Sequence, residues 1–198
     1  MSAPTHLLYL HGFRSSPLSF KARRLQAWLA GHRPAVMWWC PQLPPSPRDA
    51  MAMLREGIAG WPPSAAVLGS SLGGFYATAI AEATGWPAVL LNPAVNPARD
   101  LAAYIGEQTA FHDSAEHFFF RSEFIAELEA IAVPALTHIT RPERYFAVIA
   151  KGDEVLDWRE MAARYAGAPI RLFEGGDHAL TDFDEHLPHV LRFLKLCD

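Results

Sequence analysis

Ser71 stands at the centre of Gly69-Ser70-Ser71-Leu72-Gly73, directly after the apolar run 65–69 and directly before a stretch of helical composition. Gly-x-Ser-x-Gly between a strand and a helix is the spacing of a nucleophile held on a tight turn. The serine occupies a sparsely populated backbone conformation, and the residues two before and two after it come so close that glycine alone avoids a clash. The same rule chooses between the two serines: a turn centred on Ser70 would set Leu68 against Leu72. A phosphate-binding P-loop is excluded because no lysine follows the glycines, and the dinucleotide pattern Gly-x-Gly-x-x-Gly is also absent. The turn aims the first amides of the following helix at the reacting atom, which makes the Leu72 N–H a candidate oxyanion donor.

A serine hydroxyl is a poor nucleophile unless a base takes its proton and a third group orients that base. In this type of architecture the chain order is serine, acid, histidine. Asp153 follows the apolar run 145–150 in Gly-Asp-Glu-Val-Leu-Asp, and His178 follows the run 169–173 in Glu-Gly-Gly-Asp-His. Glu154 and Asp157 compete with Asp153, which could instead cap a helix starting near Val155. Asp177, adjacent to His178, points elsewhere as a sequence neighbour must. His11, in Leu-His-Gly-Phe after the first apolar run, is suited to holding a loop whose Phe13 amide supplies the second oxyanion donor. His6, His32, His112, His117 and His138 have no nameable partner. His186 and His189, with Asp182 and Asp184, read as a polar helix entrance rather than a metal site, since no ligand motif is present. The chemistry so assembled requires no metal and no organic cofactor.

The elements that must carry these residues follow from hydrophobic pattern. Strands are expected at 6–10, 35–40, 65–69, 87–91, 145–150 and 169–173. Helices are expected at 17–30, with Phe20, Leu25, Trp28 and Leu29 on one side, from Ser46 to about Gly57–Gly60, and at 72–84, stopped by Gly85. Ser46-Pro47-Arg48-Asp49 reads as a cap, a first helical proline and a capping-box partner. A last helix over 183–196 is expected to be restricted to its C-terminal part by Pro188. Apolar strands separated by helices imply a mostly parallel six-stranded sheet covered on both faces, a three-layer α/β/α sandwich of the α/β class. Chemistry then collects beyond the C-terminal strand ends. The segment 93–144 breaks the rhythm, with Phe120, Phe124, Leu128 and Ile131 at helical spacing. It is expected to be a helical or irregular insertion near the strand ends.

Composition bounds the rest. The 198 residues are 51% hydrophobic and 19% charged, with a formal net charge of −4, which fits one folded domain over 1–198 and excludes disorder. The basic cluster Lys21-Ala22-Arg23-Arg24 lies within a predicted helix, so no nucleic-acid footprint is expected. Cys40 and Cys197 lack metal or redox spacing, and neither a secretory signal nor a membrane-spanning run is seen, so a cytoplasmic protein is expected.

Taken together, "LLYLHGFRSSP", "PQLPP", "GSSLGGFYAT", "NPAV", "GDEVLDW" and "EGGDHAL" resemble the YqiA-like bacterial esterases, a small branch of the α/β-hydrolase fold, from about residue 7 to 194. The resemblance implies a minimal α/β-hydrolase fold reduced to its parallel core. It also implies hydrolysis of small-molecule carboxylic esters with short acyl groups, and it carries nucleophile, acid and base onto Ser71, Asp153 and His178. An acyl thioesterase with the same triad, or a hydrolase-fold protein that binds a ligand without turning it over, are the alternatives.

Overall fold

The computed structural model describes residues 2–131 and 139–197; His138 therefore lies outside the described residues. Six strands, β1 (His6–Leu10), β2 (Met37–Trp39), β3 (Ala65–Ser70), β4 (Ala88–Leu91), β7 (Tyr145–Ala150) and β8 (Ile170–Phe173), form one sheet in the order β2-β1-β3-β4-β7-β8. All its pairings are parallel. The central strands are apolar at every position because both faces are covered. In β1, Leu8 and Leu10 lie on the side of the sheet covered by α2 (Pro47–Ile58), α3 (Leu72–Thr84) and α6 (Trp158–Arg164), whereas Leu7 and Tyr9 lie on the side covered by α1 (Phe20–His32) and α7 (Phe183–Phe193). The result is the expected α/β/α sandwich.

Local signals place the helix ends. The Asp49 amide donates to Ser46 Oγ at 3.2 Å, and Gly85 ends α3 at φ 77°, a left-handed conformation that glycine adopts without strain. The capping box is completed differently from expectation. The Ser46 hydroxyl donates to Glu127 Oε2 at 2.7 Å and so ties α2 to α5 (Glu123–Ile131).

Three expectations are corrected. Phe20 is 45% exposed at the start of α1, not part of its buried face. Pro188 lies inside α7 without shortening it at the N-terminal side; the one intrahelical bond it removes is outweighed by burial of Phe183, Leu187, Val190 and Leu191. Phe120 belongs to no helix. It closes β6 (His117–Phe120), which pairs antiparallel with β5 (Gly106–Thr109) in a hairpin, and α5 begins only at Glu123. The alternative part for Asp153, a helix cap, falls instead to Asp157, which accepts from the Arg159 amide at 2.9 Å.

Packing at the β3–α3 junction leaves no room for a side chain. A Cβ on Gly73 would sit 2.0 Å from the Leu10 carbonyl oxygen, and one on Gly69 2.1 Å from the Gly73 carbonyl oxygen. Backbone on both sides cannot retreat. Gly73→Ala is therefore expected to cost at least about 3 kcal/mol in urea denaturation. Gly31→Ala in α1, where a Cβ meets nothing within 4 Å, is expected to stabilise by about 0.5–1 kcal/mol.

Candidate active site

Ser71 follows β3, with φ 55° and ψ −123°, a left-handed φ that a serine adopts only when its surroundings over-determine it. They do so here through hydrogen bonds as well as packing. The Ser71 amide donates to the Leu91 carbonyl at the end of β4, and the Ser71 carbonyl accepts from Gly74 and Ala94. The side chain is thereby turned out beyond the sheet, where His178 Nε2 lies 2.9 Å from Ser71 Oγ. His178 Nδ1 lies 2.8 Å from Asp153 Oδ2. The structure thus brings Ser71, Asp153 and His178 into one hydrogen-bonded line.

Each partner is held by its own loop. The Asp153 carboxylate is fully buried, and its other oxygen accepts from the Val155 and Leu156 amides at 2.9 and 2.8 Å. One carboxylate oxygen organises the turn while the second faces the imidazole. Glu154 takes a different part: its Oε2 accepts from the His178 backbone N–H at 2.9 Å. Asp177 turns away, its carboxylate accepting from the amide and hydroxyl of Thr181. Gly175 and Gly176, at φ 69° and 73°, make the sharp turn before the histidine, and a Cβ on Gly152 would sit 2.4 Å from the Gly176 carbonyl oxygen.

Asn92 had no assigned part in the sequence reading. It follows β4, is fully buried and has φ 41°. Its Oδ1 accepts from the Ala150 amide at the end of β7, and its Nδ2 donates to the carbonyls of Asp177 and His178 at 3.0 and 3.3 Å. One side chain therefore joins the strand leading to the acid to the loop carrying the histidine. The signal available in sequence was an Asn-Pro directly after an apolar strand.

The loop after β1 supplies the opposite wall. His11 is buried, its Nδ1 donating to the Gly12 carbonyl at 2.9 Å and its Nε2 accepting from the Leu43 amide at 3.1 Å. Gly12 lies against the serine: a Cβ there would be 3.1 Å from Ser71 Cβ. The Phe13 ring is gripped edge-on by Tyr104, Phe118 and Phe120, with centroids 5.7, 5.8 and 5.2 Å away, an arrangement favoured by ring quadrupoles. The hairpin docks on the same loop, Phe111 N donating to the Arg14 carbonyl and Arg14 Nε to the Thr109 carbonyl, both at 2.7 Å. Among the described residues, neither the Phe13 nor the Leu72 amide donates to another protein group. Both are free to serve an anion beside Ser71.

Two cavities meet at Ser71 and His178. One, of about 280 Å³, is walled chiefly by Leu72, Ala94, Pro97, Leu101, Tyr104 and Leu156. The other, of about 430 Å³, is lined by Ser15, Ser19, Lys21, Ser70 and Glu154 among others. Of the histidines and aspartates near α7, His186 Nε2 lies 3.3 Å from Asp182 Oδ2 while its Nδ1 accepts from Arg171 Nε and Asp184 pairs with Arg24; no group of three metal-ligating side chains forms there among the described residues.

With this geometry, comparison with known proteins is informative. Residues 6–195 match the uncharacterised protein family UPF0227. The chain belongs to that family, that of the YqiA-like proteins. Its fold is that of the α/β hydrolases. A metagenome-derived lipolytic enzyme of the LipS and LipT pair is 17% identical, with a TM-score of 0.72 over 98% of this chain and 94% of that one. Est1E from Butyrivibrio proteoclasticus is 14% identical, with a TM-score of 0.73 over 99% and 88%. A monoacylglycerol lipase from Paleococcus ferrophilus is 12% identical, with a TM-score of 0.66 over 100% and 97%. No helix among the described residues is long and apolar enough to cross a membrane.

Burial holds the His11 pKa below its ordinary 6.5, in keeping with its role as acceptor from Leu43. The folded state thus binds this proton less readily than the unfolded chain. Stability is full above the ordinary histidine pKa and is lost as pH falls beneath it, because the unfolded chain is protonated first. The urea midpoint is expected to drop between pH 7.5 and roughly pH 5, and a His11→Asn variant should show a smaller drop over the same interval.

Proposed function

We propose that this protein is a serine esterase that hydrolyses carboxylic esters through an acyl-enzyme, with Ser71 as nucleophile, His178 as general base and acid, and Asp153 orienting the imidazole. The observation that carries the reading is the line Ser71 Oγ, His178 Nε2, Asp153 Oδ2, with separations of 2.9 and 2.8 Å at a serine of positive φ. Nucleophile-to-base and base-to-orienter contacts are the geometric requirements of this chemistry. Two of the structural neighbours, a lipolytic enzyme and a monoacylglycerol lipase, support the same class.

As Ser71 Oγ attacks the ester carbonyl carbon, its proton passes to His178 Nε2 and the carbonyl π electrons move onto oxygen. The Leu72 and Phe13 amides stabilise that oxyanion, each by roughly 3–4 kcal/mol in comparable sites. Asp153, desolvated and already hydrogen-bonded by two amides, stabilises the imidazolium without taking its proton. Collapse breaks the bond to the alcohol oxygen, which takes the proton from His178. Water then attacks the acyl-enzyme with its proton going to His178, and the second collapse returns that proton to Ser71 and releases the acid. The smaller cavity, walled largely by apolar side chains with Arg14 and Asp100 also in its lining, suits the acyl group. Its volume of about 280 Å³ favours short chains.

Ser71→Ala and His178→Ala are each expected to lower kcat on 4-nitrophenyl butyrate by at least about 10³-fold. Asp153→Asn should cost a comparable factor through the wrong tautomer. Hydrolysis by Ser71→Ala at the parent rate would overturn the reading. In a chain-length series, kcat/KM is expected to be higher for the butyrate than for the dodecanoate. Leu101→Phe, which narrows the apolar cavity, should shift the preference further toward acetate.

A further inference from the structure

The loop that carries His178 is held at three successive peptide groups. Glu154 Oε2 accepts from the His178 N–H, and Asn92 Nδ2 donates to the Asp177 and His178 carbonyls. The next carbonyl, that of Ala179, accepts from Lys21 Nζ. The first two holds come from loops at the strand ends. The third comes from α1, in a covering layer of the sandwich and 158 residues away along the chain. The peptide that it grips is a constrained one. Leu180, its second residue, is fully buried at φ 51°, a conformation that a non-glycine residue keeps only when its surroundings impose it.

Nothing in the local structure of α1 favours a lysine at this place. Lys21 lies in the first turn, where a cation meets the positive end of the helix dipole, and that turn contains no acidic residue to offset it. The side chain lines the cavity that ends at Ser71 and His178. Burial there pushes Lys21 down to about 8, against the pull of Asp177 and Asp153. Neither carboxylate is free to pair with it: Asp153 faces His178, and Asp177 accepts from Thr181. A desolvated cation in a cleft, hydrogen-bonded to the backbone beside a candidate base, is the pattern of a functional position.

We infer that Lys21 is a positioning residue for the proposed reaction, holding the Ala179 carbonyl from α1 and so fixing where His178 stands relative to Ser71. This rests on the esterase reading above and adds to it a residue that touches no reacting atom. His178 Nε2 must stay within hydrogen-bond reach of Ser71 Oγ, and a displacement of about 1 Å can cost about 10²-fold in rate. Glu154 and Asn92 hold the chain up to the base; Lys21 holds the residue after it.

The ammonium is the form that does this. Protonated, Lys21 makes a charge-assisted hydrogen bond and is drawn toward Asp153 and Asp177; deprotonated, it loses that attraction and donates more weakly. The ionisable groups around it are Asp153 and Glu154 after β7, Asp177 and His178 after β8, and Tyr9 of β1, whose phenol burial holds above its ordinary range. On α1 itself Arg23 is exposed and Arg24 is engaged with Asp184 of α7. A value of about 8 puts the loss of the Lys21 charge just on the alkaline side of neutral.

The test measures kcat and KM for 4-nitrophenyl butyrate from about pH 7 to about pH 9.5, with spontaneous hydrolysis subtracted. Lys21→Met is expected to lower kcat roughly tenfold at the neutral end and to change KM by less than about twofold. Its kcat should stay level as pH rises, whereas that of the parent declines through about pH 8 toward the Lys21→Met value. Lys21→Arg, charged across the whole interval, should keep its kcat. Circular dichroism and the urea midpoint check the fold of each variant, and the decline of the parent needs no variant at all. A Lys21→Met kcat within about twofold of the parent overturns the inference. So does a deficit equally large at both ends of the pH range, which marks lost packing, or a raised KM with kcat kept, which marks contact with substrate. In those outcomes the parent still hydrolyses the ester and the esterase reading stands; no turnover by the parent fails both.

Discussion

The site depends on a backbone contact without side chains. Gly73, one residue into α3, lies against the Leu10 carbonyl of β1, and Gly69 against the Gly73 carbonyl. This approach lets the chain reverse from strand to helix within a single residue, and that residue is Ser71. Its unfavourable φ is offset by hydrogen bonds to Leu91, Gly74 and Ala94 and by the buried first turns of α3. The same contact brings the β1 loop beside the serine, so the two free amides, Phe13 and Leu72, approach from neighbouring segments. Strain at the serine and the proposed means of binding an oxyanion thus have a common origin.

Strand order sets the second requirement. Ser71 leaves β3, while His178 leaves β8, with β4 and β7 between them. The histidine loop must therefore reach across two strand ends. Gly175 and Gly176 give it the necessary turn, Glu154 holds the His178 amide, and Asn92 ties it to both intervening strands through three hydrogen bonds. A buried amide whose donors and acceptor are all used fixes one geometry, because any other leaves polar groups unpaired in a low-dielectric interior. The proposed base is placed by this network as much as by its own contacts.

Much of this was legible in the sequence because the signals were local. Six apolar runs became the six strands, and the spacing of Gly69 and Gly73 about Ser71 encoded a steric fact. The acid and base candidates were found from their position after strands, and Asp153 and His178 indeed come together with Ser71. What escaped was tertiary. Phe120 fitted a helical period with Phe124 and Leu128, but its partner is Gly106 across a hairpin. That hairpin carries no Asn-Gly turn, and its Phe-Phe-Phe run lacks the alternation that marks a half-buried strand. Asn92 was missed because its function lies in contacts 58 and 86 residues away along the chain.

The central claim is that Ser71, not its neighbour Ser70, is the nucleophile activated by His178. The most direct test is reaction of the native protein with a serine-reactive phosphonate, followed by peptide mass spectrometry. A single adduct on Ser71, absent from the His178→Ala variant, is the expected result. An adduct on Ser70, or labelling that survives removal of His178 at the parent rate, would contradict the account.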